Sequence, residues 1–311
     1  MYIVPLSFRS FIVFIVFTVS YSSHKSSYAV LLELSHYFYG LPLLLLATMT
    51  TFIGEEINAA TRSLHTPLNR RILALLPLAL PPKTLTPTLY GYGLSHFLPI
   101  YHTFEFCFRS ILNSPSTPSR AGAFLRKLYI PELERTQKLR ADLTKLLGCN
   151  ITAGMEIGGP WRQQQSFMTH IRTSTNEKPH LLIAYTWILY MALFSGGRHI
   201  RARLQSAGPK FWGVEEENPP LSLWTFPSNT DGEDLKTLYK AQVLELSTSL
   251  TELERKEIVA EGVEIMSTML KLVDEVDELS DPYKLTPRGR ELSLPEEQTP
   301  PLLKRLSNLF K

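Results

Sequence analysis

Helix-periodic apolar stretches alternate along this chain with short breaks rich in Pro, Gly and Ser. From residue 51 onward, Ile53, Ile57, Ala60 and Leu64 recur at i, i+4, i+7 and i+11, the apolar stripe of an amphipathic helix. Asn58, Arg62 and His65 form a polar stripe beside it. Pro67 is placed to open a second helix over 68–80, with Pro77 set to kink it and Pro81-Pro82 to stop it. Residues 85–112 read as further helix, broken near Gly91 and Pro99. A Ser- and Pro-rich loop over 114–122 precedes a helix over 125–147, and a loop over 148–159 precedes a shorter helix over 161–172.

Pro179 then opens a long apolar helix, with Asn176 or Thr175 as its cap. It passes through Trp187, Tyr190 and Ser195-Gly196-Gly197 to about Arg203. Residues 207–233 read as a long surface loop. A helix over 234–246 follows, and Thr251 with Glu254 makes a capping box for a last helix ending near Leu279. No strand period and no internal repeat is visible. The pattern therefore predicts an all-α, multi-helical single domain over 49–280.

Two flanking segments differ from this domain. Residues 1–48 are a hydrophobic extension, and the apolar run from Phe11 to Val19 behind Arg9 has the shape of a signal anchor. The equal alternative is a non-native upstream extension, with Met49 as the start. Residues 281–311 mix Pro with charge and read as a flexible tail.

Composition narrows the function classes. The 311 residues are 44% hydrophobic, enough for a substantial core, and the net charge of +3 is small and mixed, which argues against a nucleic-acid partner. The two cysteines, Cys107 and Cys149, are neither a disulfide framework nor a zinc pattern, and Cys107 in an apolar run reads as a buried, inert thiol. Seven of the eight histidines have only packing or surface readings. His65 differs because Arg62 lies one turn before it: an imidazole beside a cation suits a metal porphyrin and its propionate. Lys236 and Lys240, one turn apart around Tyr239, are either a solvated face or a carboxylate clamp. The adjacent Gly196 and Gly197 cost about 2 kcal/mol of helix propensity. Either a kink or a flat ligand against bare backbone accounts for them.

In their order these motifs resemble the heme oxygenases, in a divergent form of fungal type. Ser63-Leu64-His65-Thr66 resembles the segment whose His ligates the iron. Leu181-Leu182, Ala184, Tyr190 and Ser195-Gly196-Gly197 resemble the distal helix. Thr225-Phe226-Pro227 followed by Leu235-Lys236-Thr237-Leu238-Tyr239-Lys240 resembles the segment that holds the propionates, and Tyr101-His102 resembles a Tyr-His pair on the second shared helix. The resemblance implies His65 as heme-iron ligand, with Arg62, Lys236 and Lys240 as propionate partners. It implies Tyr101 as a distal polar group, with Gly196 and Gly197 as backbone approach points. It also implies cleavage of heme to biliverdin, carbon monoxide and iron, with dioxygen and electrons from a reductase. The expected placement is the cytoplasm or the cytoplasmic face of an internal membrane, with membrane association through residues 1–48.

The departures are on the distal side. Where the family reads Gly-Asp-Leu-Ser-Gly-Gly, this chain reads Ala192-Leu193-Phe194-Ser195-Gly196-Gly197. The family's Asp holds a water beside bound dioxygen, which Leu193 cannot do. Tyr101 or Arg198 would have to supply the water network. Asn58 stands where the family often has Lys, and Asn69 where an acidic residue commonly supports the proximal His. A non-catalytic heme binder or sensor is thus one alternative. An integral membrane protein spanning through the uncharged run from Leu181 to Gly197 is another.

Overall fold

The computed structural model describes residues 52–113, 119–148, 161–213 and 219–280. The N-terminal extension, the 148–159 loop beyond Gly148, with Cys149, and the 281–311 tail lie outside the described residues.

Helix α1 (Ile53–Leu75) buries Ile53, Ile57, Thr61 and Leu68. Ala60 is exposed, so the buried stripe turns through Thr61 instead. The helix does not restart at Pro67 but runs through it. A proline's φ is already helical; what it removes is one backbone bond. The extended packing of α1 on the last helix holds the axis across that gap. A 3₁₀ turn over Leu76–Ala79, with Pro77 in its first positions, ends the segment.

Helix α2 (Thr88–Ser95) and helix α3 (Leu98–Asn113) divide at His96-Phe97, beside Pro99 as expected, while the break expected at Gly91 is absent. Gly91 lies inside α2, where a Cβ would come within 3.2 Å of Leu146; the glycine admits a neighbouring helix. The single helix expected over 125–147 is two, α4 (Ser119–Leu128) and α5 (Thr136–Leu147), separated by a 3₁₀ turn at Pro131–Leu133. Helix α6 (Arg162–Glu177) follows. Thr175 does not cap the next helix: its hydroxyl donates back to the Ile171 carbonyl at 2.6 Å, and the chain enters through a 3₁₀ turn at Pro179–Leu181.

Helix α7 (Leu182–Ala192) is buried almost all round and passes through a π-helical turn (Leu193–Gly197) into α8 (Arg198–Gln205). The stretch Pro179–Gln205 is long and apolar enough to cross a membrane, but 83% of its most apolar window is buried inside the protein. It is a core helix here, which corrects the membrane-spanning alternative. The expected 207–233 loop contains a short helix α9 (Pro209–Trp212) and a 3₁₀ turn (Ser222–Trp224). Helices α10 (Glu233–Ser247) and α11 (Glu252–Ser280) complete the fold. The capping box forms as expected: Thr251 Oγ1 accepts from the Glu254 N–H at 3.2 Å, and the Glu254 carboxylate accepts from the Thr251 N–H at 2.7 Å. Among the described residues there is no strand, and the protein is all-α.

Candidate functional site

A cavity of about 240 Å³ opens where the π turn meets the C-terminal half of α1. Ala192, Leu193, Gly196 and Gly197 form one wall, Ile72 and Leu75 of α1 another, and Val273 of α11 a third. Tyr90 and Tyr101 also line it, and Trp224 covers Gly197. A Cβ on Gly197 would lie 3.2 Å from the Trp224 ring and 3.5 Å from the Ala192 carbonyl, so the glycine lets an indole lie against the helix backbone. Such single-turn π irregularities in helices are frequent at functional sites.

Three interactions hold this wall. The Tyr101 hydroxyl donates to the Leu189 carbonyl at 3.1 Å, one turn before the π segment begins. Burial pushes this phenol well above its ordinary range, so it stays protonated and able to donate. The Trp224 indole N–H donates to the Tyr90 hydroxyl at 2.9 Å. The segment carrying Trp224 is tied to α5 because the buried Asp142 carboxylate accepts the Ser222 and Leu223 N–H groups, both at 2.8 Å.

His65 is half-buried on α1, two turns before Ile72, where the cavity begins. Desolvation pushes its pKa down to about 4, which leaves a neutral imidazole at physiological pH. A neutral imidazole is the form that ligates a metal. Arg62 is exposed one turn earlier on the same helix. Tyr101, Gly196 and Gly197 therefore meet at one cavity, while His65 and Arg62 lie farther along one of its walls.

Lys236 and Lys240 stand on α10, away from the cavity lining. Lys236 Nζ is 3.0 Å from the Glu233 carboxylate, and Arg198 donates to the same carboxylate at 3.0 Å. Arg198 also donates to the Asp231 carbonyl at 2.8 Å, and Arg201 holds the Asp231 carboxylate through two bonds of 2.7 and 2.5 Å. Arg198 is thus engaged with the start of α10 and the turn before it. The turn at Asp231-Gly232 has φ of 54° and 79°. A Cβ on Gly232 would sit 2.6 Å from Phe226 and 3.0 Å from Phe194, so only glycine lets this turn press onto that stacked aromatic pair.

Asn58 has acquired another task. Its Oδ1 accepts the indole N–H of the fully buried Trp187 at 3.0 Å. Trp187 stacks on Tyr239, which lies between the two lysines. Cys107 is half-buried and unpaired.

Sequence patterns did not single out Glu105. Its buried carboxylate accepts the Arg135 N–H at 2.6 Å, the Thr136 N–H at 3.0 Å and the Tyr190 hydroxyl at 3.2 Å, which seats the start of α5 behind the distal helix. Desolvation raises its pKa and the accepted bonds oppose that rise. The available signal was a lone carboxylate in the apolar run Phe104-Glu105-Phe106. Arg135, also missed, is wholly buried, with its guanidinium 4.4 Å from the centre of the Phe226 ring.

A helical bundle whose broken core helix lines a cavity opposite a histidine-bearing helix defines a class, and comparison gives it a family. The profile described as Heme oxygenase matches residues 53–275. The chain belongs to the heme oxygenase family. Heme-binding protein HMX1 of Saccharomyces cerevisiae is 24% identical over 246 residues, covering 73% of this chain and 76% of that protein. Heme oxygenase 2 of a Synechocystis species is 27% identical over 170 residues, covering 55% of this chain and 65% of that one. Among solved structures, heme oxygenase-2 from Synechocystis, in complex with heme and NO, superposes with a TM-score of 0.60 at 21% identity over 74% of this chain and 86% of that one. Heme oxygenase 2 from Chlamydomonas reinhardtii, without heme, gives 0.61 at 16% identity over 72% and 97%. These superpositions establish the all-α heme oxygenase fold.

Proposed function

We propose that this protein binds heme through His65 and cleaves it slowly, on a distal side short of hydrogen-bonding groups. The observation that carries the reading is one cavity walled by the Gly196-Gly197 turn, Tyr101 and the helix that bears a neutral, half-buried His65. Arg62, Lys236 and Lys240 would hold the propionates by charge-assisted hydrogen bonds. The described cavity, at about 240 Å³, is smaller than the roughly 300–1,000 Å³ of small-molecule pockets.

Bound heme and dioxygen supply the oxidising chemistry that yields biliverdin, carbon monoxide and iron, with electrons from a reductase. The protein's part is to orient the ring and hold a proton donor. Here that part is thin: Leu193 is an apolar wall residue, Arg198 is engaged elsewhere, and the Tyr101 proton points to a backbone carbonyl. The same observations favour a second reading, a heme binder or sensor without turnover.

The test is hemin titration of the native protein and His65→Ala, followed by reductant in air. Loss of the Soret shift and of affinity in the variant is expected. An unchanged Soret band would remove His65 as ligand. Fast stoichiometric bilin formation by the native protein would refute the slow-turnover reading.

A further inference from the structure

Lys236 does not wait with a free charge. It stands three residues after Glu233, and its Nζ lies 3.0 Å from that carboxylate. The Lys236 side chain is 26% exposed and the Glu233 side chain 49% exposed, so this is an ion pair at the protein's edge. Glu233 also takes Arg198 at 3.0 Å, which fixes the carboxylate from the side of the π turn. Lys240, one turn later, has no acidic partner among the described residues. Of two lysines on one helix stripe, one already holds a carboxylate and the other does not.

A heme propionate is a carboxylate too. For it to engage Lys236, one carboxylate must replace another on the same ammonium group. Arg198 and the first turn of α10 still stabilise Glu233 once it is displaced, because a helix start favours negative charge. The exchange is therefore near balance.

We infer that Glu233 is a resident competitor for Lys236, which lowers heme affinity and sets how readily the ligand leaves. This rests on the proposed reading of Lys236 and Lys240 as propionate partners. The competition acts on ionised propionates only. A porphyrin with both propionates esterified presents nothing for Lys236 to exchange.

The experiment titrates hemin and hemin dimethyl ester into the full chain, as the native protein, Glu233→Gln, Lys236→Ala and the double variant, at low and moderate salt. An exposed ion pair of this kind corresponds to a two- to fivefold effect, roughly, and it shrinks as salt rises. Glu233→Gln should bind hemin tighter by that factor and the dimethyl ester unchanged. The gain should vanish in the Lys236→Ala background. If Lys236→Ala weakens hemin binding while Glu233→Gln leaves it equal or weaker, the clamp stands and the competitor does not. If neither variant alters hemin binding, the clamp fails and this inference falls with it. Equal tightening for hemin and its dimethyl ester would also overturn the inference, since it would mean a change in pocket shape. Because Glu233 lies in the first turn of α10, thermal unfolding accompanies each titration. Should Glu233→Gln melt early, Glu233→Ser, which keeps an acceptor at the helix start, carries the same test.

Discussion

Gly54 and Trp187 make the sharpest test of how α1 packs against α7. A Cβ built on Gly54 would lie 2.5 Å from Trp187 Cζ2, 2.6 Å from Cη2 and 2.8 Å from Cε2. Carbon atoms rest at roughly 3.5–4.0 Å, so in Gly54→Ala the ring would have to retreat by about 1 Å. It has little room: Trp187 is wholly buried, bonded to Asn58 at 3.0 Å, edge-on to Phe52 at 5.2 Å and stacked on Tyr239 at 6.2 Å. Overpacking of this kind costs about 1–3 kcal/mol. Disturbing the indole hydrogen bond adds about 1 kcal/mol. The gain in helix propensity from Gly to Ala, at most about 1 kcal/mol, offsets that second loss. Gly54→Ala should therefore destabilise the fold by about 1–3 kcal/mol, which lowers Tm by roughly 2–12 °C for a domain of this size. Thermal unfolding followed by circular dichroism measures it. Trp187→Phe removes the offending half of the ring, so the double variant should lose less than the two single losses combined, by about 1 kcal/mol or more. A Gly54→Ala protein as stable as the native one, or strictly additive losses, would refute the argument.

Four further outcomes follow from other parts of the structure. Tyr101→Phe leaves the Leu189 carbonyl without its hydroxyl donor, costing about 1–3 kcal/mol, and should speed amide exchange across residues 193–197; unchanged exchange there would show that the tyrosine does not hold the π turn. Glu105→Ala strands the Arg135 and Thr136 N–H groups and should lower Tm by several degrees, measured in the same melts; an unaltered Tm would deny Glu105 its seating role. His65 and His96 both titrate near 4 when folded, below the ordinary 6.5, because burial disfavours their charged form. The unfolded chain then binds more protons, so their contribution to stability is intact above 6.5 and is lost as pH falls from 6.5 toward about 4. A Tm that holds constant between pH 7 and 4.5 would contradict this. Ala192→Gly with Leu193→Asp, which restores the family's distal carboxylate, should raise bilin yield in a reductase-coupled assay; a yield no higher than native would favour the non-catalytic reading.

Local pattern carried the helices whose ends are locally encoded. The Thr251–Glu254 box and the apolar run of α7 were readable, since each depends on residues within one or two turns; the stop expected at Pro81-Pro82 comes earlier, at Leu75, where the turn carrying Pro77 begins. Misread boundaries came from proline used in two ways. Pro67 sits inside a helix held by α11, while Pro131 divides the segment over 125–147 that reads as one helix. The glycine pair was legible as an anomaly, and the structure gives Gly197 its reason in Trp224, a residue from a different element. Gly54 with Trp187, and Asp142 with Ser222 and Leu223, were invisible beforehand. Partners so far apart in sequence leave no period to detect.

The bond pair from Asp142 has a consequence for how this cavity can change over time. The panel bearing Trp224 belongs to none of the long helices; the Asp142 carboxylate on α5 holds its start by two backbone bonds of 2.8 Å, Tyr90 takes the indole N–H at 2.9 Å, and Arg201 and Arg135 donate to the Trp224 and Thr225 carbonyls at 3.2 and 3.0 Å. This one wall is placed by side chains that reach out from several helices, while the helices and the π turn supply the rest of the chamber. A substitution at Asp142, or a length change in the segment around Leu223, would act on this wall through the seat of Trp224, and so on which ligands fit.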